Sequence, residues 1–198
     1  MAAGMAAKMA TMTPVPHLVL VGPMGAGKSA LGRRLAQARG LPFVDLDREI
    51  ERRAGADIPA IFAHEGEAGF RRREREALID ALAGPTCVLA TGGGAILDAG
   101  SRARIRERGF VVHLDIDIDQ QLARLARDRN RPLIAGDDRE AVLRRLAVER
   151  APLYAEVADL VFATGSGDPA DAAARLAQRL DTLWPPRSPP SDPSADPT

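Results

Sequence analysis

Lysine is almost missing from this chain: Lys8 and Lys28 stand alone against twenty-five arginines. A lysine at a motif position is therefore not drawn from a lysine-rich background. The single cysteine, Cys87, excludes an internal disulfide and cannot by itself build a structural zinc site. A reducing, cytoplasmic compartment is the expectation. No uninterrupted apolar run approaches the roughly 18 residues of a membrane-spanning helix. Neither sign of charge is in excess, because 27 basic and 27 acidic residues cancel, and this removes the basic footprint of a nucleic-acid-binding protein. An apolar fraction of 45% removes the disordered class.

What is present suits one well-cored domain within 198 residues. Residues 1–16 hold four of the five methionines but no continuous apolar stretch, and are expected to be a disordered leader. Residues 185–198, PPRSPPSDPSADPT, hold six of the fifteen prolines and are expected to be a disordered tail. The folded domain is expected to run from His17 to Trp184, residues 17–184.

Five short apolar runs punctuate that domain: HLVLV (17–21), PFVDL (42–46), TCVLAT (86–91), FVVHLDI (110–116) and DLVFAT (159–164). Each has the length and Val/Leu/Ile content of a buried parallel strand. Between them lie amphipathic stretches, such as Gly69 to Leu82, where Phe70, Ala77, Leu78, Ala81 and Leu82 approximate one apolar stripe. Strand and helix in alternation predict an α/β sheet with helices on both faces, and ligands outside the carboxyl ends of its strands.

Directly after the first run comes GPMGAGKS, Gly22 to Ser29, followed by a helical stretch. This is the G-x-x-x-x-G-K-[ST] phosphate loop in its strand-to-helix context. Its glycines let backbone N–H groups face phosphate oxygens, with the helix dipole behind them. Lys28 is expected to reach the terminal phosphates and the Ser29 hydroxyl to help hold Mg²⁺. A guanine-reading Asn-Lys-x-Asp motif cannot exist, since no lysine follows position 28. The short chain favours a small-molecule kinase.

Three further features sit at strand ends. FVDLD places Asp45 and Asp47 two apart, either on one face of the strand or with the strand ending between them. One carboxylate near Mg²⁺ and the other accepting a hydroxyl proton is the functional reading, and a helix N-cap is the structural alternative for Asp47. TGGG, Thr91 to Gly94, suggests close approach to the backbone. Arginines abound in FRRRERE, in RDRNRPLIAGDDRE and in ERAPLY, where Pro152 is expected to stop a helix. The second of these segments has the makings of a mobile lid, and composition alone does not rank the arginines.

In order, GPMGAGKS, FVDLD, GEAGFRRRE, LATGGGAI, QLARLARDRNRPLIAG and ERAPLY resemble the shikimate kinases, small P-loop kinases of aromatic amino-acid biosynthesis. The resemblance spans Gly22 to Tyr154. It implies transfer of the γ-phosphoryl group of ATP to the 3-hydroxyl of shikimate, with Mg²⁺ as cofactor. It also implies a five-stranded parallel sheet in the order 2-3-1-4-5, a substrate-binding region near residues 45–75 and a lid near residues 125–139.

By the same resemblance Gly25, Ala26, Gly27, Lys28, Ser29 and Ala30 bind nucleotide, with Arg124 near adenine and Arg131 entering the phosphate site. Ser29 and Asp45 hold the metal. Asp47, Lys28 and Arg131 are the catalytic set. Asp47, Arg71, Gly92, Gly93, Gly94 and Arg150 bind shikimate, the two arginines clamping its carboxylate. A monomer without nucleic-acid or membrane partner is expected. A gluconate or nucleoside monophosphate kinase would share the loop but gives no reason for TGGG with two carboxylate-binding arginines.

Overall fold

The computed structural model describes residues 15–126, 138–165 and 167–184. HLVLV forms β1 (His17–Val21), buried along its whole length, with Leu18 and Leu20 facing one side and Val19 and Val21 the other. The other runs form β2 (Phe43–Asp45), β3 (Val88–Ala90), β4 (Gly109–Asp115) and β5 (Leu160–Ala163). All pair in parallel, in the order β2-β3-β1-β4-β5, with Leu18 opposite Val88 on one side and Phe110 on the other. The expected α/β architecture and strand order hold.

Seven helices occupy the described residues: α1 (Lys28–Arg39), α2 (Leu46–Ala54), α3 (Ile58–Ala83), α4 (Ala99–Arg108), α5 (Ile118–Leu125), α6 (Arg139–Val157) and α7 (Pro169–Leu183). Helices α1 and α7 cover one face, where Leu31, Leu35, Leu176 and Leu180 meet Leu18, Leu20, Val112 and Leu114. On the other face α2, α3, α4 and α6 bring Ile50, Leu78, Ile105 and Val157 against Val19, Val21, Leu89 and Val111. Each fully buried leucine of these layers contributes roughly 1.5–3 kcal/mol. The alternating strand side chains thus explain why both faces need helices.

Some boundaries differ from expectation. Val15 and Pro16 belong to the folded unit rather than to a leader, because the Val15 carbonyl accepts from Thr86 Oγ1 (2.9 Å) and the Pro16 carbonyl from Trp184 Nε1 (3.1 Å). Helix α3 starts at Ile58, well before Gly69, and bends at Gly66 (φ 66°). Pro152 does not stop α6, which continues to Val157. Pro152 and Val148 both lie on the solvent face, so water can satisfy the Val148 carbonyl that loses its intrahelical partner. Of the segment where a lid is expected, 125–139, only the ends are described: Leu125 closes α5 and Arg139 opens α6. The rest of that segment, with Arg131, lies outside the described residues, as do residues 1–14 and 185–198, where a leader and a tail are expected.

Candidate active site

The carboxyl ends of β1, β2 and β3 converge on one cavity of about 460 Å³. At its nucleotide end the chain leaves β1 through Gly22, whose φ of 142° suits only glycine and whose missing Cβ makes room for the Leu114 carbonyl. Lys28 is buried, and its ammonium donates to the carbonyls of Gly22 (2.7 Å) and Pro23 (2.8 Å), so it spans the loop. Six helices, α2 to α7, are capped by an aspartate side chain: Asp45, Asp57, Asp98, Asp117, Asp138 and Asp168. Helix α1 alone is capped by a glycine, Gly27 (φ 89°), with no side-chain bond. The first turn of α1 carries no acidic residue, so the positive end of its dipole suits an anion.

Ser29, in the first turn of α1, lines the cavity together with Asp45 and Asp47. Strand β2 ends at Asp45 and α2 begins at Leu46, so the two carboxylates fall on either side of a strand-to-helix junction. Asp45, not Asp47, is the N-cap, accepting weakly from the Arg48 N–H at 3.5 Å. Asp47 is therefore not consumed by the capping role. A hydroxyl and a carboxylate beside a phosphate loop are the hard oxygen donors that suit Mg²⁺, which keeps waters and substrate phosphates as its other ligands. Among the described residues no three His, Cys, Asp or Glu side chains form a group that could hold a metal ion.

The triple glycine accommodates side chains. A Cβ on Gly92 would lie 2.5 Å from Glu74 Oε1 and 2.9 Å from Asp47 Oδ1, and one on Gly94 would run into the Arg71 guanidinium. Between them the Gly93 carbonyl accepts from Arg150 Nη1 (3.1 Å) and Tyr154 Oη (2.8 Å). Three small residues thus gather two guanidiniums and two carboxylates from α2, α3 and α6. Burial pushes the Tyr154 hydroxyl up to about 12, against the downward pull of the neighbouring Arg150, so it acts as a neutral donor.

Arg71 is held by Glu74 Oε2 (2.7 Å) and Glu67 Oε1 (3.0 Å). Burial opposes its charge, but these carboxylates raise its pKa beyond the ordinary arginine value. Glu74, 3% exposed, has its own pKa raised by burial, against the pull of Arg71. Glu74 Oε1 and Arg150 Nε are both buried without a hydrogen-bond partner among the described residues. Ile58, Phe62 and Phe70 complete the lining as an apolar wall. The site can therefore hold a small ring with a carboxylate at one side and hydroxyls at the other.

The cavity thus assembles eight of the expected residues: Ser29, Asp45, Asp47, Arg71, Gly92, Gly93, Gly94 and Arg150. Gly25, Gly27, Lys28 and Ala30 form the adjoining loop and helix start. Ala26 differs, its methyl fully buried in the core and its N–H donating to the Pro23 carbonyl at 3.3 Å. Arg124 lies outside the cavity, against the loop, donating to the carbonyls of Gly25 (3.0 Å) and Gly165. Arg131 lies outside the described residues. Sequence reasoning missed Glu74, hidden in the charge run FRRRERE. The signal was its i,i+3 spacing from Arg71.

Comparison with known proteins agrees with this geometry. The family model described as shikimate kinase matches residues 24–181. The shikimate kinase of Xanthomonas campestris pv. campestris (strain 8004) is 57% identical over 173 residues, covering 87% of this chain and 96% of the relative. That of Stenotrophomonas maltophilia (strain K279a) is 54% identical over the same shares. The solved shikimate kinase from Acinetobacter baumannii in complex with shikimate superposes with a TM-score of 0.82 at 47% identity, over 84% of this chain and 93% of that one. With its phosphate loop, paired carboxylates and arginine-lined glycine wall in one cavity, the chain belongs to the shikimate kinase family.

Proposed function

We propose that this chain transfers the γ-phosphoryl group of ATP to the 3-hydroxyl of shikimate, giving shikimate 3-phosphate and ADP. The observation that carries this reading is the meeting of Arg71 and Arg150 at Gly93 and Gly94, in the same cavity as Asp47 and Ser29. Two guanidiniums anchor the substrate carboxylate, and their fixed distance from Asp47 sets which hydroxyl faces the nucleotide. Asp47 accepts that hydroxyl's hydrogen bond and takes its proton as the oxygen attacks phosphorus. Lys28 and the N-terminus of α1 bind the phosphates and stabilise charge on the transferred group.

Ser29 and Asp45 are the residues that would hold Mg²⁺, directly or through water. When bound, the ion neutralises phosphate charge and orients the terminal groups. Arg131, by the family resemblance, adds a positive charge over the phosphates. Arg124 belongs to the adenine side. The same reading makes the enzyme a cytoplasmic monomer that acts on small molecules, without nucleic-acid or membrane partners. No described helix is long and apolar enough to cross a membrane.

The test is ADP release from ATP and Mg²⁺ with shikimate, gluconate or a nucleoside monophosphate panel as acceptor. Shikimate-dependent release that is lost in Lys28→Ala is the expected result. Release with another acceptor and none with shikimate would overturn the substrate assignment.

A further inference from the structure

Helix α5 buries an amide that the mechanism above does not use. Gln121 is 3% exposed, and its Nε2 donates to the Met24 carbonyl at 2.9 Å, joining the helix to the crown of the phosphate loop. A carbonyl only accepts, so this bond fixes which end of the carboxamide faces the loop. One turn later Arg124 Nη1 donates to the Gly25 carbonyl at 3.0 Å. Two consecutive loop carbonyls are thus drawn onto one face of α5.

Gln121 lines a small cavity with Met24, Ile118 and Leu143, members of one apolar cluster, and with the polar His113 and Asp115. A carboxamide in such a place costs free energy unless it is bonded, and leucine would fill the space without that cost. The bond to Met24 therefore needs a reason. The loop has little stiffness of its own, since Gly22, Gly25 and Gly27 all have positive φ and glycine tolerates either sign. The Met24–Gly25 peptide could flip if nothing held its oxygen.

The peptide is trans, so its carbonyl and the following N–H point in opposite directions. With Met24 O turned to Gln121, the Gly25 N–H is turned the other way, away from the Gln121 amide. We propose that Gln121 is a positioning residue for nucleotide binding, pinning the Met24 carbonyl so that the Gly25 amide faces the nucleotide phosphates. It touches no substrate and acts only through the loop. The inference rests on the loop being the ATP site.

Gln121→Leu removes the donor at nearly constant volume. Calorimetric titration with Mg²⁺–ADP and, separately, with shikimate measures both affinities, alongside thermal unfolding with and without each ligand. The expected result is a loss of ADP affinity of about tenfold, the size of one lost hydrogen bond, with shikimate affinity within about twofold. The ADP-induced rise in Tm shrinks while the shikimate-induced rise persists.

An ADP affinity within about twofold of wild type in the folded variant would overturn the proposal. So would equal weakening of both ligands, the mark of a merely structural role. If Gln121→Leu does not fold, Gln121→Glu, which matches glutamine in size, is measured in the same way. Failure of both to fold would make the amide a structural prop and overturn the proposal as well. A wild-type chain that binds no ADP would instead overturn the nucleotide reading itself, and the inference with it.

Discussion

Gly92→Ala tests whether the triple glycine exists to seat side chains. Its φ is not in the left-handed region, so the backbone can carry alanine and any effect must come from the added methyl. That methyl would sit 2.5 Å from Glu74 Oε1 and 2.9 Å from Asp47 Oδ1, where ordinary contact begins near 3.4 Å. One carboxylate or both must move, by about 1 Å at Glu74. Glu74 has nowhere to go, being 3% exposed and bonded to Arg71 at 2.7 Å, so its displacement drags the carboxylate clamp with it.

A misplacement of that size costs about 10²-fold in kcat/KM for shikimate, equivalent to roughly 2.7 kcal/mol in the transition state. Overpacking of about 1–3 kcal/mol lowers Tm by several degrees. Initial rates of ADP release measure the first quantity, and ADP-induced stabilisation checks that the phosphate loop is intact. Gly84→Ala, whose Cβ meets only ordinary contacts at 3.4 Å on the surface, serves as the control and should leave the kinetics unchanged. A kcat/KM within about threefold of wild type in Gly92→Ala would refute the seating role.

Asp47→Asn keeps the shape of the side chain but cannot take a proton; kcat should fall by about 10²–10⁴ while ADP affinity is retained, and unchanged turnover removes Asp47 from the mechanism. Arg71→Ala should raise the KM for shikimate by about tenfold or more with ADP affinity unchanged, and an effect confined to ADP would show the clamp to be misassigned. Glu74 has a folded pKa above its ordinary 4.5, so the folded state holds the proton more tightly and stability falls as pH rises from 4.5 toward the folded value. Wild type should accordingly lose Tm relative to Glu74→Gln over that rise; a constant difference would contradict the buried-carboxylate account. Burial pushes the Cys87 thiol up to about 11 and leaves it 2% exposed, so a disulfide reagent should label it only on unfolding, and prompt labelling of the native chain at pH 7 would contradict its position.

The division between what was legible in the sequence and what was not follows from how each feature is encoded. The strands read as short apolar runs and all five were found, with β1, buried on both faces, legible residue for residue. The phosphate loop is legible because one contiguous segment supplies its glycines, lysine and serine. The ends of elements are less so: α6 passes through Pro152 because that residue faces solvent, which a proline's presence alone does not reveal. Asp45 and Asp47 were visible as a pair, but only the point where β2 gives way to α2 decides which of them caps the helix.

The arginine-lined end of the site is encoded differently. Arg71 and Arg150 are two among twenty-five arginines, and what separates them is burial against glycines 57 and 23 residues away in sequence. Glu74 lies in the same charge run as Arg71, and helical periodicity turns that one residue inward while its neighbours Arg72 and Glu76 stay in water. Buried charges persist only when paired, so an inward arginine demands an inward carboxylate, and the carboxylate in turn demands a glycine opposite it. Arg71, Glu74 and Gly92 are therefore one constraint distributed over two elements. Any change to one of the three should be compensated, if at all, at one of the other two.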